Sequence, residues 1–168
     1  LFKRQNVALT IGQTLRYNRV IRMLRRRLAD IGQLVSFTAS QRLEPIALTW
    51  LDDPSFAGAG VSFHLAVHVF DALRFITGRE VVRVMALTRC VHSASLEDHL
   101  LALVELDDGV IGTVDCSKVG PGRSGRFELV GTGGQLHGDQ IYHVGELIQE
   151  QNRLPLHPGE PVSTIVPL

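Results

Sequence analysis

The sequence predicts an α+β fold, a mixed and largely antiparallel sheet with helices on one face. Three observations carry this. Apolar residues recur at helical spacing only in the first half of the chain, over 17–30 and 61–77. From Glu80 onward the pattern changes to short Val/Leu-rich runs divided by turn residues. A strand–helix alternation throughout, which would favour a parallel sheet, is absent.

Residues 6–11 read as a short, mostly apolar strand ending at Gly12. Tyr17 to Asp30 carries apolar side chains at 17, 20, 21, 24 and 28, one face of an amphipathic helix. Its arginines (Arg19, Arg22, Arg25, Arg26 and Arg27) fall mostly on the other face, and most simply form a solvated surface. Asn18 reads as the cap of this helix and Gly32 as its stop. Residues 33–42 alternate as a strand, and 43–60 is a loop punctuated by Pro45, Pro54, Gly58 and Gly60. The second helix, 61–77, buries Leu65, Val69, Ala72, Leu73 and Ile76 and ends at Gly78. Strands follow at 81–89, 98–106, 109–117 and 125–131, with a short one near 135–138. Asp107-Asp108-Gly109 and Gly131-Thr132-Gly133-Gly134 are the tight turns between them. The tail after Asn152, with Pro155, Pro158, Pro161 and Pro167, reads as extended edge strands and turns, because proline cannot sit inside a sheet.

Composition narrows the function. The 168 residues suit one ordinary domain, with 45% hydrophobic and 20% charged residues, a soluble balance. Seventeen basic residues against seventeen acidic give zero net charge, which argues against a nucleic-acid partner. The longest apolar stretch, Phe56 to Ile76, is interrupted by Ser62, His64, His68, Asp71 and Arg74, so neither a membrane span nor a membrane partner is expected. No signal peptide is visible, which points to the cytoplasm. Cys90 and Cys116 make neither a disulfide framework nor a zinc site, and read as small buried apolar residues. Only Lys3 and Lys118 are lysines, leaving little for a mechanism that needs one.

The stretch with chemistry in it is Gly58 to Asp71. On a regular helix His64, His68 and Asp71 lie within about 40° of one line, behind a glycine-rich loop. Three uses compete. Both histidines can be hydrogen-bonded fillers between helix and sheet. They can be part of a metal set, although no third ligand is placed by the sequence. Or they can move protons in a substrate pocket, work for which imidazole is suited near neutral pH. His92, His99, His137, His143 and His157 are scattered without usable spacing.

Several segments, in order, resemble the C-terminal domain of the glucose–fructose oxidoreductase / inositol dehydrogenase (Gfo/Idh/MocA) family of NAD(P)-dependent oxidoreductases. They are Gly12-Gln13-Thr14-Leu15-Arg16-Tyr17-Asn18, Asp30-Ile31-Gly32-Gln33-Leu34, Trp50 before Gly58-Ala59-Gly60, and Val67-His68-Val69-Phe70-Asp71-Ala72-Leu73-Arg74-Phe75-Ile76-Thr77-Gly78. Glu97-Asp98-His99, Leu106-Asp107-Asp108-Gly109 and Val130-Gly131-Thr132-Gly133-Gly134 continue the match.

The resemblance implies that 1–12 end a preceding Rossmann domain or linker, and that 13–168 form a substrate-binding and oligomerisation domain. It implies a small-molecule sugar, inositol or related polyol as substrate, and a homo-oligomer formed through the open sheet face. NAD or NADP would be bound mainly by an N-terminal domain outside this sequence, so the isolated chain is expected to be inactive. The start at Leu1 fits a piece of a longer protein. His68 matches the family's general base, and His64, Trp50, Arg16 and Asn18 match positions lining the substrate pocket, although a structural role fits the last three equally well, Trp50 as a packing residue and Arg16 as a cap or ion-pair partner. His64 stands where the family has an aspartate. That departure keeps open a non-catalytic ligand-binding or dimerisation module derived from the same fold. No glycine-rich phosphate loop opens a helix, since Gly131–Gly134 reads as a turn.

Overall fold

The computed structural model describes residues 2–5, 7–45, 48–150 and 152–159. Its strands are β1 (Leu34–Arg42), β2 (Val81–Arg89), β3 (His99–Leu106), β4 (Ile111–Ser117), β5 (Ser124–Gly131), β6 (Gly134–Asp139), β7 (Val144–Gln149) and β8 (Asn152–Leu156). They form one sheet in the order β2-β3-β4-β1-β5-β6-β7-β8. Every neighbouring pair is antiparallel except β1 and β4, which run parallel from Ser36 beside Ile111 to Arg42 beside Ser117. The expected mixed, largely antiparallel α+β sheet is therefore the one observed.

Alternation along the strands separates two faces. On β3, Leu100, Ala102, Val104 and Leu106 are buried, while Leu101 and Leu103 are exposed. On β5, Phe127 and Leu129 are buried between the exposed Arg126 and Glu128. Helices cover the buried face and form one core with it.

Helix α1 (Phe2–Gln5) is a single turn. The strand expected over 6–11 is not there. Asn6 lies outside the described residues, and 7–13 pair with no strand, leaving Val7, Leu9 and Ile11 exposed. The two positions beside β1 are taken by β4 and β5, and the segment joins neither open edge of the sheet, β2 or β8.

Helix α2 (Arg19–Arg27) is shorter than the 17–30 expected. Asn18 has extended backbone angles and caps the helix, its side chain accepting from the N–H groups of Val20 (2.8 Å) and Ile21 (3.4 Å). Tyr17 is thereby left in the preceding 3-10 turn, Thr14–Tyr17, and is exposed. A second 3-10 turn, Leu28–Ile31, continues α2 to Gly32. Val20, Ile21, Met23 and Leu24 pack down on β6 and β7, where Gly138 lets Val20 and Leu24 approach the strand.

The expected loop 43–60 contains a 3-10 turn, Thr49–Asp52, and helix α3 (Pro54–Ala57), capped by the Asp53 carboxylate on the Ser55 N–H at 2.8 Å. A π turn, Ser62–Ala66, then leads into α4 (Val67–Thr77). Leu65, Val69, Ala72, Leu73 and Ile76 are all buried, as their spacing predicts. Gly78, in the left-handed region at φ 69°, ends the helix. Against the sequence expectation, the run Pro54–Thr77 is long and apolar enough, by length and composition alone, to cross a membrane. Here its apolar stripe packs on the sheet.

The later strands fall where the Val/Leu runs put them, and β8 is an edge strand that accommodates Pro155. The sequence did not single out β7, whose Gly145 and Glu146 dilute the strand signal. Pro161 and Pro167 lie outside the described residues. Cys116 is buried, and burial pushes its thiol up to about 12. Cys90 is exposed rather than buried, because it falls just past the end of the edge strand β2.

Candidate functional site

The parallel strands β1 and β4 end side by side at Arg42 and Ser117, and the segments around the two candidate histidines gather at that end of the sheet. The loop after β1, the segment 90–98 before β3, Lys118 after β4 and Gln140 after β6 all lie there. The helices α2 and α4 start there too. Asn18 Nδ2 donates to the Gln140 carbonyl oxygen at 3.1 Å, and the Val61 N–H donates to the Glu97 carbonyl oxygen at 2.7 Å.

Three carboxylates build the floor by accepting backbone N–H groups. Asp98 accepts from Val91 (2.8 Å), His92 (2.7 Å) and Ser93 (2.9 Å). Asp52 accepts from Ala94 (2.8 Å), Ser95 (3.2 Å) and Leu96 (2.9 Å). Glu97 Oε1 accepts from Gly60 (3.0 Å) and Ser62 (3.1 Å). The Leu96 and Ala94 N–H groups hold the Asp52 carboxyl below its ordinary range, with help from the Lys118 charge. For Glu97 and Asp98 burial pushes upward, but the hydrogen bonds outweigh it and both are lowered.

The glycine-rich loop before the helix has a structural reason. A Cβ on Gly60 would stand 2.8 Å from the Glu97 carbonyl carbon, 2.9 Å from its nitrogen and closer still to its oxygen. Gly60 is needed for the chain to lie against Glu97.

His64 sits in the π turn, half-buried, with Nδ1 buried and without a hydrogen-bond partner. Burial lowers its pKa below the ordinary histidine value, reinforced by the positive Lys118 and by His68. Its ring is therefore neutral at pH 7. His68, at the start of α4, faces Gln13, with Nδ1 and Oε1 3.2 Å apart. An amide oxygen in this position accepts, and the tautomer that suits it carries the proton on Nδ1 and the lone pair on Nε2. Among the described residues no carboxylate lies within 4 Å of either ring.

Asp71 does not join them. It is buried and accepts from Arg16 Nε (2.8 Å) and Nη2 (2.6 Å), while the guanidinium lies 5.7 Å from the Phe75 ring centroid. The π turn departs from the even 100° step between 64 and 68, whereas His68 and Asp71 share the regular α4, and it is Arg16 that draws the Asp71 carboxylate away. Arg16 and Asn18 thus have their polar groups engaged within the protein, Arg16 on Asp71 and Asn18 on α2 and Gln140. Trp50 projects from the 3-10 turn, 53% exposed.

Two residues that sequence reasoning left without a role belong here. Gln13 orients His68, and nothing in its spacing signals that contact. Lys118 is buried, and one signal existed: counting on from the buried Val114 and Cys116 puts 118 on the covered face. A cavity of about 370 Å³ opens between Leu48, Thr49, Asp52, His92, Asp98 and Lys118. Larger depressions, of about 480 and 490 Å³, lie around Arg126 and around Met85, away from His64 and His68.

No three His, Cys, Asp or Glu side chains converge on a metal position among the described residues. Nor do they build a cradle for a dinucleotide phosphate. Gly131 and Gly134 pair across the β5–β6 hairpin, and the turn opens no helix.

Over residues 21–137 the chain matches the GFO/IDH/MocA C-terminal domain. Scyllo-inositol 2-dehydrogenase (NAD(+)) of Bacillus subtilis (strain 168) is 28% identical over 90 residues, covering 50% of this chain and 26% of that protein. GenD2 from gentamicin A biosynthesis, solved in complex with NAD, superposes with a TM-score of 0.76 at 26% identity, covering 82% of this chain and 41% of its own. Levoglucosan dehydrogenase, solved with NADH and levoglucosan, superposes at 0.78 with 20% identity, covering 90% and 47% respectively, a likeness of fold alone. The chain spans less than half the length of each of these proteins. With the family match taking in well over half of its residues, the chain belongs to the GFO/IDH/MocA family, as its C-terminal domain.

Proposed function

We propose that residues 13–168 are the substrate-binding and oligomerisation domain of a cytoplasmic NAD(P)-dependent oxidoreductase acting on a sugar, inositol or related polyol. Residues 1–12 would lead in from its nucleotide-binding domain. The family membership and the names of the relatives support this class. The observation that carries the reading is the orientation of His68. Gln13 fixes the proton on Nδ1, so Nε2 is free to accept a proton from a substrate hydroxyl at the end of the sheet where the loops converge. As the imidazolium forms, Nδ1–H keeps its bond to Gln13.

His64 and Trp50 would wall the substrate. Arg16, holding Asp71, and Asn18, tying α2 to Gln140, would keep the starts of the two helices in place. NAD or NADP would sit mainly on the nucleotide-binding domain, because the described residues here do not fit it. The chemistry assigned to this chain is the movement of one proton, and the chain alone is expected to turn nothing over. Exposed Met85, Leu87, Leu101, Leu103 and Ile111 support self-association through the open sheet face.

His68→Ala in the full-length protein, assayed over a panel of polyols, is the test. A fall in kcat/KM of about 10²- to 10⁴-fold is expected for a lost general base. Unchanged kcat/KM removes His68 from that role.

One observation favours a second reading, a non-catalytic ligand-binding or dimerisation module. No carboxylate stands against either histidine among the described residues, so nothing anionic supports the imidazolium. His64→Asp separates the two. Turnover gained by this change speaks for a decayed enzyme, whereas activity lost gives His64 a role of its own.

A further inference from the structure

Lys118 is the first residue after β4 and continues its covered face, where the π turn carrying His64 packs on the strand. Its N–H donates to the Asp98 carbonyl oxygen at 2.8 Å, which fixes the start of the side chain. The residue is only 7% exposed and lines the 370 Å³ cavity. Among the described residues no carboxylate comes within 4 Å of its ammonium. The stem is buried but the ammonium nitrogen is not sealed from solvent, and a partly desolvated ammonium gains from an anion that meets it.

The two acids that share the cavity are engaged elsewhere. Asp52 and Asp98 keep their charge, but each is turned onto three backbone N–H groups of the segment 91–96. The π turn contributes His64 and no acid. A neutral polyol would leave the ammonium without a counter-charge. A ligand carrying its own oxyanion would supply one.

We infer that Lys118 is a specificity-determining residue that binds an acidic substituent, carboxylate or phosphate, on the sugar or polyol substrate. This rests on the reading of the site given under Proposed function. The ammonium donates to the oxyanion from the cavity floor and leaves a hydroxyl elsewhere on the molecule to reach His68 Nε2.

The test uses the full-length protein with NAD and NADP. Glucose, galactose and myo-inositol are compared with glucuronate, galacturonate and myo-inositol 1-phosphate, whose two kinds of acid separate carboxylate from phosphate. At least one acidic compound should exceed its neutral partner in kcat/KM by about 10-fold or more, the worth of a charge-assisted bond. Lys118→Met should collapse that ratio, mainly through KM, and Lys118→Arg should restore most of it. Neutral compounds turned over as well as the acidic ones, or a ratio indifferent to Lys118→Met, would overturn the inference while leaving the oxidoreductase reading intact. If none of the six is oxidised, that reading loses its support, and calorimetric titration with the same compounds decides Lys118 separately. Acid binding that is lost in Lys118→Met, with thermal unfolding unchanged, upholds the anion site. No preference for the acids overturns it.

Discussion

Gly60→Ala tests the packing that holds the histidines. The added Cβ would fall 2.8 Å from the Glu97 carbonyl carbon and nearer to its oxygen, so the backbones must part by on the order of 1 Å. That movement stretches the Val61 N–H bond to the Glu97 carbonyl, now 2.7 Å, beyond hydrogen-bond range. It also loosens the Glu97 carboxylate from the Gly60 and Ser62 N–H groups, at 3.0 and 3.1 Å. One neutral bond at about 1 kcal/mol and two charged ones at about 1.5 kcal/mol each set a ceiling of about 4 kcal/mol. Partial relaxation brings the expected loss to about 2–4 kcal/mol. For a domain of this size that lowers Tm by about 5–15 °C, read by calorimetry or urea unfolding at pH 7. A Tm within about 1 °C of the parent would refute the close approach at Gly60.

Two other outcomes are expected. Asn18→Ala should cost about 1 kcal/mol for the lost cap and about 1 kcal/mol more for the bond to Gln140, whereas Asn18→Asp should keep the cap term; equal losses in a urea titration would contradict this division. His64 has a lowered folded pKa, so as pH falls from about 6.5 the unfolded chain binds the proton first and stability drops. Urea midpoints at pH 7.5 and 5.5 should differ less in His64→Gln than in the parent, and an identical difference would mean that His64 titrates as it does unfolded. Asp52, Glu97 and Asp98 do not confound that window, because lowered carboxylates stabilise fully above about pH 4.5 and lose the effect only below it.

Much of the fold was legible because its signals are local. The α4 stripe at 65, 69, 72, 73 and 76, the Asn18 cap, the Gly78 stop and the Asp107–Gly109 turn each depend on neighbours a few residues away. The failures are those in which a distant partner decides. Val7, Leu9 and Ile11 look like a strand until the sheet has no vacancy beside β1. Asp71 looks like a partner for His68 until Arg16, 55 residues earlier, takes both its oxygens. At the site, the two histidines were visible as titratable groups on an apolar helix. Gln13 was not, because the contact that orients His68 spans the same 55 residues and leaves no trace in spacing.

The acids near the histidines show how the chemistry of the site is set. Asp52, Glu97 and Asp98 lie at the same end of the sheet as the start of the helical run that carries His64 and His68, and a count of charges alone would make that end acidic. Their oxygens instead accept eight backbone N–H groups, the work of folding 90–98 against 49–62. A carboxylate surrounded by N–H dipoles is held ionised and is a poor proton acceptor, since protonation would forfeit those bonds. Base strength is thereby left to imidazole, whose two nitrogens divide the tasks of being held and of accepting. His64, neutral and with an unpartnered Nδ1, does not compete for the proton that His68 accepts, but it offers no compensating charge to the imidazolium. Burial, Lys118 and His68 lower the His64 pKa, and an acidic substrate would offset the Lys118 charge among them. Its oxyanion on Lys118 would screen one of the positive neighbours of His64, which would link substrate recognition to the electrostatics of the histidine pair.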